Sequence, residues 1–282
     1  MGDSLPTIQA RPKGAGLGRH ADRLAELTRP SIRLLPQGIA DAALETGQTR
    51  LGGNPDLPAS TRWPEYRGVP QSFIAQINLA DVQQYDLQHQ LPDAGLLSFF
   101  YDAEQSVWGF DPAQNDGWKV LYTEASVDVG RREFPAALPV HSRFRPITLQ
   151  PHREITYAPL GTELEAVGLS PDDGAAYDEL IEADGAPLHR LLGHPDPIQG
   201  DMQLECQLAS HGLYVGDPSG YRDSRAADLR AGAVDWRLLL QIDSDEEADM
   251  MWGDAGRIYY WMHKDAMRER RWDEAWLILQ CF

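Results

Sequence analysis

Four short stretches occur twice in this chain in the same order, and that repetition limits its architecture more than any other feature. "LGGNPD" (Leu51–Asp56) is answered by "LLGHPD" (Leu191–Asp196), "AQIN" (75–78) by "LQID" (240–243), and "PDAGLLSFFY" (92–101) by "GDAGRIYYWM" (253–262). "GWKVLY" and "EAWLIL" then close the two series. Two copies are too few to stack as a solenoid, so the expectation is one internally duplicated domain built from two packed, similar halves. The stretch from Gly193 to Gln241 is longer than that from Gly53 to Gln76, which predicts an insertion in the second half, placed in "GYRDSRAADLRAG" (220–232).

Local patterning predicts an α+β fold of mainly antiparallel sheets with a few short helices. "SIRLLP", "QSFIAQIN", "GLLSFFY", "GWKVLYTE", "AVDWRLLLQID", "GRIYYWMH" and "AWLILQCF" are apolar runs of strand length bounded by turn residues. "HADRLAELT" (20–28) and "KDAMRERRW" (264–272) suit short helices. Ser170-Pro171-Asp172-Asp173 has the cap, N1 and acidic first-turn residues of a helix start, and Gly185 can close that helix. Alternation along "VDWRLLLQID" puts Val234, Trp236, Leu238, Leu240 and Ile242 on a core face, with Asp235, Arg237, Leu239, Gln241 and Asp243 opposite.

Gln241 and Asp243 therefore project together, roughly 6.5–7 Å apart, as do Gln76 and Asn78 in the first copy. Such pairs can clamp a ligand, or they can satisfy the backbone of the loops leading into Asp-Ala-Gly. Their occurrence in both halves favours the structural role. Gly95 and Gly256 are expected to supply positive φ where those loops become strands. Most of the eight tryptophans are expected in the core and a minority as ligand platforms.

Charge narrows the partners. Forty-three acidic against 25 basic residues give a net charge of −18, which opposes nucleic-acid binding. Acids dominate 154–189 and 238–256, and "QIDSDEEADMMWGD" contains Asp243, Asp245, Glu246, Glu247, Asp249 and Asp254. These stretches read as solvated surface, or as a face for a basic partner. Two cysteines in no metal or redox spacing, no leader-like N-terminus and no stretch approaching the ~20 apolar residues of a membrane span make a cytoplasmic protein the expectation.

Motifs for catalysis are missing: there is no Gly-x-Ser-x-Gly, His-Glu-x-x-His, Walker loop or Cys-x-x-Cys. No catalytic residue, metal ligand or cofactor is expected. "GAGLG" (14–18) lacks a preceding strand and reads as a flexible arm. His194 with Asp196 and Asp201 comes nearest to a metal or acid–base cluster, but a histidine between turn residues is usually structural. The acids of 243–249 lack the glycine and closing glutamate of a calcium loop.

The blocks "TRLGGNPDLPASTRWP", "PQSFIAQINLADV", "LPDAGLLSFFYD", "LLGHPDPIQGDM", "LLLQIDSDEEADMMWGDAGRIYYWMHKD" and "WDEAWLILQCF" together resemble the YwqG-like family of bacterial proteins. The resemblance implies an α+β domain of unknown function over 31–282, in two pseudo-repeats (about 31–150 and 151–282), behind an arm and short helix at 1–30. Where an aromatic would be expected after the second glycine of each turn, this chain has Asn54 and His194. Some neighbours of that family sit in toxin-associated loci, which implies an immunity or antitoxin-like setting. The leading expectation is a non-enzymatic module binding a basic protein, with Gln76, Asn78, Gln241, Asp243, Trp252 and Asp254 as binding residues. The alternatives are a small-molecule sensor with its ligand between the halves, or a hydrolase using the carboxylates near Asp243 and Asp254.

Overall fold

The computed structural model describes residues 11–39, 44–161, 163–164, 167–181 and 185–282. In chain order its main elements are α1 (Ala21–Glu26), β1 (Arg29–Ile39), β2 (Arg50–Leu51), β3 (Asp56–Leu57), β4 (Glu65–Tyr66), β5 (Val69–Pro70), β6 (Ser72–Asn78) and α2 (Leu79–Val82). There follow β7 (Leu96–Tyr101), β8 (Trp118–Thr123), β9 (Gly130–Arg131), β10 (Ile147–Thr156) and α3 (Pro171–Ile181). The remainder comprises β11 (Arg190–Leu191), α4 (Gln203–Ser210), α5 (Pro218–Arg222), α6 (Ala226–Leu229), β12 (Trp236–Asp243), β13 (Arg257–His263), α7 (Lys264–Arg268) and β14 (Trp276–Gln280).

Ten strands form one antiparallel sheet in the order β14-β13-β12-β11-β1-β10-β2-β6-β7-β8, while β3–β9 and β4–β5 make two small ribbons. At the centre β1 and β10 pair with each other. Each carries a two-residue strand on its far side, β11 on β1 and β2 on β10, followed by a three-stranded meander. The sheet curls until its edges meet and is nearly closed into a barrel. Trp118 Nε1 donates to the Ala275 carbonyl at 2.7 Å, Trp276 Nε1 donates to Gly109 at 2.8 Å, and the two indoles pack edge-on at 5.1 Å. Drawing the edges together removes exposed ladder groups from both. One continuous apolar cluster joins residues of both meanders. A smaller cluster, with Leu17, Leu24 and Tyr177 at its centre, seats α1 and α3 beside it.

Several expectations need correction. Strict alternation along β12 fails, because β12 has a bulge between Leu238 and Leu240 and is buried on both faces, while Val234 is exposed. A single extra residue exchanges the faces downstream of it, which sequence periodicity does not reveal. Gly95 does have positive φ, but Gly256 does not; a Cβ there would lie 2.3 Å from the Gln280 carbonyl oxygen, so close approach is what requires glycine. The left-handed residues of that loop are Asp249, Gly253 and Ala255. The "GAGLG" segment is no loose arm, since Leu17 is buried against the α1–α3 cluster. Extra chain in the second half begins earlier than 220–232: three helices fill 203–229, where the first half has the β4–β5 ribbon. Ser170 caps α3 as expected, its Oγ accepting from the Asp173 amide at 3.2 Å. Closure of that helix before Gly185 involves 182–184, outside the described residues, as are residues 1–10 of the N-terminal arm.

Candidate functional site

Gln76 and Gln241 are fully buried, and each closes a knot of the same composition. In the first, Gln76 Oε1 accepts from the Asp56 amide at 3.0 Å, and its Nε2 donates to Asp56 Oδ2 and to the Gln48 carbonyl, both at 3.0 Å. Arg50 Nη1 meets that carboxylate at 2.9 Å. In the second, Gln241 Oε1 accepts from the Asp196 amide at 2.8 Å, and its Nε2 donates to Asp196 Oδ2 at 2.8 Å and to Leu188 at 2.7 Å. Arg190 Nη1 meets Asp196 Oδ2 at 2.6 Å. The strand register agrees, pairing Arg50 with Gln76 and Arg190 with Gln241. An amide side chain suits this place because it both accepts from and donates to a turn that leaves both kinds of group unpaired.

The neighbouring pair repeats the geometry with different chemistry. The Asn78 amide donates to Thr49 Oγ1 at 3.0 Å, and Thr49 donates to Asp81 at 2.7 Å. The Asp243 amide donates to His189 Nδ1 at 3.1 Å, and His189 Nε2 lies 3.2 Å from Asp245. Accepting through Nδ1 leaves the histidine proton on Nε2, directed at the carboxylate. Burial pushes the Asp245 carboxyl up, but hydrogen bonds from His189 and the Ala248 and Glu247 amides outweigh it and hold the pKa low. Asn78 also caps α2, accepting from Ala80 at 3.1 Å. Asp243 accepts from the Leu188 amide at 2.8 Å and lies 3.0 Å from Arg257 Nε.

Trp252 is buried, packed edge-on against Phe144, with Nε1 donating to the Asp243 carbonyl at 3.1 Å. It therefore anchors the 243–256 loop from beneath and presents no ring to a ligand. Outside it, Glu246, Glu247 and Asp254 are exposed, and Asp249 pairs with Arg145 at 2.6 Å. Met251 (47% exposed) and Phe282 (77% exposed) stand among them, the Phe282 amide donating to the Asp254 carbonyl at 3.1 Å. The six residues expected to bind thus divide: Gln76, Gln241, Asp243 and Trp252 lie inside, Asn78 is half-buried as a helix cap, and Asp254 alone is exposed.

His194 does not meet Asp196 as a ligand pair. It is buried with Nε2 2.7 Å from the Leu27 carbonyl, and burial together with the Arg29 charge lowers its pKa to about 3. Among the described residues no group of three or more His, Cys, Asp or Glu is placed to hold a metal ion, and no helix is long and apolar enough to cross a membrane. Cys206 and Cys281 are free and buried. Sequence reasoning missed Arg50, Arg190, Thr49 and His189. Their signal was present, since "TRLGGNPD" and "HRLLGHPD" extend the repeat by an invariant arginine and a polar residue before it.

A family model described as "Domain of unknown function (DUF1963)" matches residues 49–281, a span that starts at Thr49 and includes the Arg, Asp and Gln side chains of both knots. A comparison with curated proteins finds no match.

Proposed function

The chain belongs to the DUF1963 family of unknown function, and on that premise we propose that it works by binding a basic protein through the outer face of the 243–256 loop. The observation that carries this is the composition of that loop: Glu246, Glu247, Met251 and Asp254 are all exposed on it, and the exposed Phe282 is held to it by its amide on the Asp254 carbonyl. Charge gives such a surface its steering and salt dependence, and the two apolar side chains give it contact area. A hydrolase reading has less support, because Asp243 is engaged by the Leu188 and Ser244 amides and sits beside Arg257. A carboxylate held in that way is poorly placed to take a proton from substrate.

The narrower parts of the proposal are a cytoplasmic, bacterial YwqG-like protein and an immunity-type partner; their support is the resemblance of the six sequence blocks. We also propose that the two halves descend from one duplicated unit. Its support is the recurrence of the Arg-Asp-Gln knot, the bulged strand and the mirrored strand order. Superposition of β2-β6-β7-β8 on β11-β12-β13-β14 should pair Gln76 with Gln241 and Gly95 with Gly256.

The binding test uses host lysate passed over the immobilised full chain and over a Glu246→Lys/Glu247→Lys/Asp254→Lys variant. A basic protein retained by the first, released by salt and not retained by the second is the expected result. Equal retention by both would remove the loop from consideration. Asp243 and Asp245 are unsuitable for charge reversal, because both are buried.

A further inference from the structure

A cleft of about 870 Å³ lies over β1, β10 and β11, and its lining shares no residue with the exposed acids of the 243–256 loop. Arg11, Arg33, Arg153, Arg190 and Arg257 line it, in a chain whose net charge is −18. Their charges are not equally satisfied. Arg190 is saturated, with Nε 3.0 Å from Glu154, Nη1 2.6 Å from Asp196 and Nη1 donating to the His194 carbonyl at 3.0 Å. Arg257 donates through Nη1 to the Asp196 carbonyl at 3.0 Å and has Asp243 beside its Nε.

Arg33 differs. It is 8% exposed, it shares Glu154 with Arg190 at the longer distance of 3.6 Å, and its Nη2 donates to the Gly185 and Pro187 carbonyls. The Nε of Arg33 and that of Arg257 both lack a hydrogen-bond acceptor among the described residues, but Arg257 Nε has an Asp243 oxygen 3.0 Å away, whereas the ion pair of Arg33 runs through Nη1. The first half shows what such a group takes. There Arg131 Nη2 donates to the Glu45 carbonyl, in the position that corresponds to Gly185, while its Nε donates to Asp56 Oδ1 at 2.6 Å. Among the described residues of the second half no carboxylate oxygen answers Arg33 Nε. Burial disfavours the Arg33 charge, Glu154 offsets this in part, and the neighbouring Arg190 charge adds to the penalty. Two further cations stand at the mouth. Arg153 is exposed and forms no ion pair among the described residues, and Arg11 lies over the Tyr157 ring at 5.4 Å. The remaining charged groups of the lining are Glu154 and Asp196, already engaged, and Asp178 and Glu179 on α3.

We infer that this cleft is a binding site for a small organic oxyanion, a carboxylate or a phosphate ester, received by Arg33 Nε with Arg153 and Arg11 completing its charge. A guanidinium with one free N–H and a second cation alongside is the arrangement by which proteins hold such groups. The inference is independent of the acidic-loop reading, since no residue is shared.

The test titrates the full chain with succinate and, separately, with glycerol phosphate, which distinguishes the two sources of the oxyanion. The side-chain Nε–H NMR signal of Arg33, assigned through its own couplings, should shift saturably with one of them. Arg153→Ala, an exposed change that spares the fold, should weaken that binding about tenfold. Arg145→Ala, remote from the cleft, should leave it unchanged. Absence of a saturable Arg33 shift with either probe overturns the inference, as does an equal response from the Arg153 and Arg145 variants, which marks a general salt effect.

Discussion

Gln241 and Gln76 show how much a single side chain can hold when it serves a turn that has no other partners. Each satisfies one backbone amide and one backbone carbonyl, and each orients an aspartate, the buried Asp56 or the half-buried Asp196, toward its arginine. Truncation leaves those groups unpaired in a dry interior, so Gln76→Ala and Gln241→Ala should each lower stability by about 2–4 kcal/mol. Glu247→Ala on the exposed loop should change it by less than about 0.5 kcal/mol. Urea denaturation of the three variants decides the matter, and an unaffected Gln241→Ala that lost a partner would make the strand end a binding site. Gly193 is the same kind of position without a side chain. At φ +75° an added Cβ would lie 2.5 Å from Ser31 Cβ, so Gly193→Ala should cost more than about 2 kcal/mol in the same assay.

At the scale of elements, α4 and the β11 turn set opposite limits of pH stability. Glu205 on α4 is pushed up to about 7 by burial and by the neighbouring Asp201, with Tyr221 acting weakly against them. A raised carboxyl binds its proton more tightly folded than unfolded, so stability is lost as pH rises from about 4.5 to 7. Glu205→Gln should therefore melt higher than the parent above pH 7, by ~1–3 kcal/mol after allowance for partial exposure, and the gain should vanish in acid. His194 works the other way. Its folded pKa near 3 lies below the unfolded 6.5, so stability is lost as pH falls between those values. Asp56 adds to the acid limb. Burial opposes its ionisation, but Arg131, Gln76, the Gly47 amide and Arg50 bring its pKa to about 2, and that contribution disappears as pH falls from 3.8 toward 2. Melting curves across pH should show a single maximum, and a Glu205→Gln profile parallel to the parent would refute the assignment.

For the whole molecule, the closing of the sheet matters more than either half. Phe99 of one meander packs against Tyr260 of the other at 5.0 Å, and Tyr260 Oη donates to the Phe100 carbonyl at 3.1 Å. With one core spanning both meanders, calorimetry should record one cooperative transition, and Trp276→Ala should shift it as a unit by about 3–5 kcal/mol. Two resolved transitions would mean that the halves fold separately. The strands, the short helices, the α+β class and the repeated polar pairs were legible in the sequence, because apolar run length, caps and turn residues act over a few neighbours. The bulge at Leu239, the inward turn of Asp245, the burial of Trp252 and the gathering of arginines over β1 and β10 were not. Arg33, Arg153, Arg190 and Arg257 come from four strands distant in the chain, and whether a guanidinium finds a carboxylate there depends on how the sheet curls. Local chemistry determined which segments form strands and which turns need an amide side chain; the tertiary structure alone decided which charges are spent on one another and which are left facing a cleft.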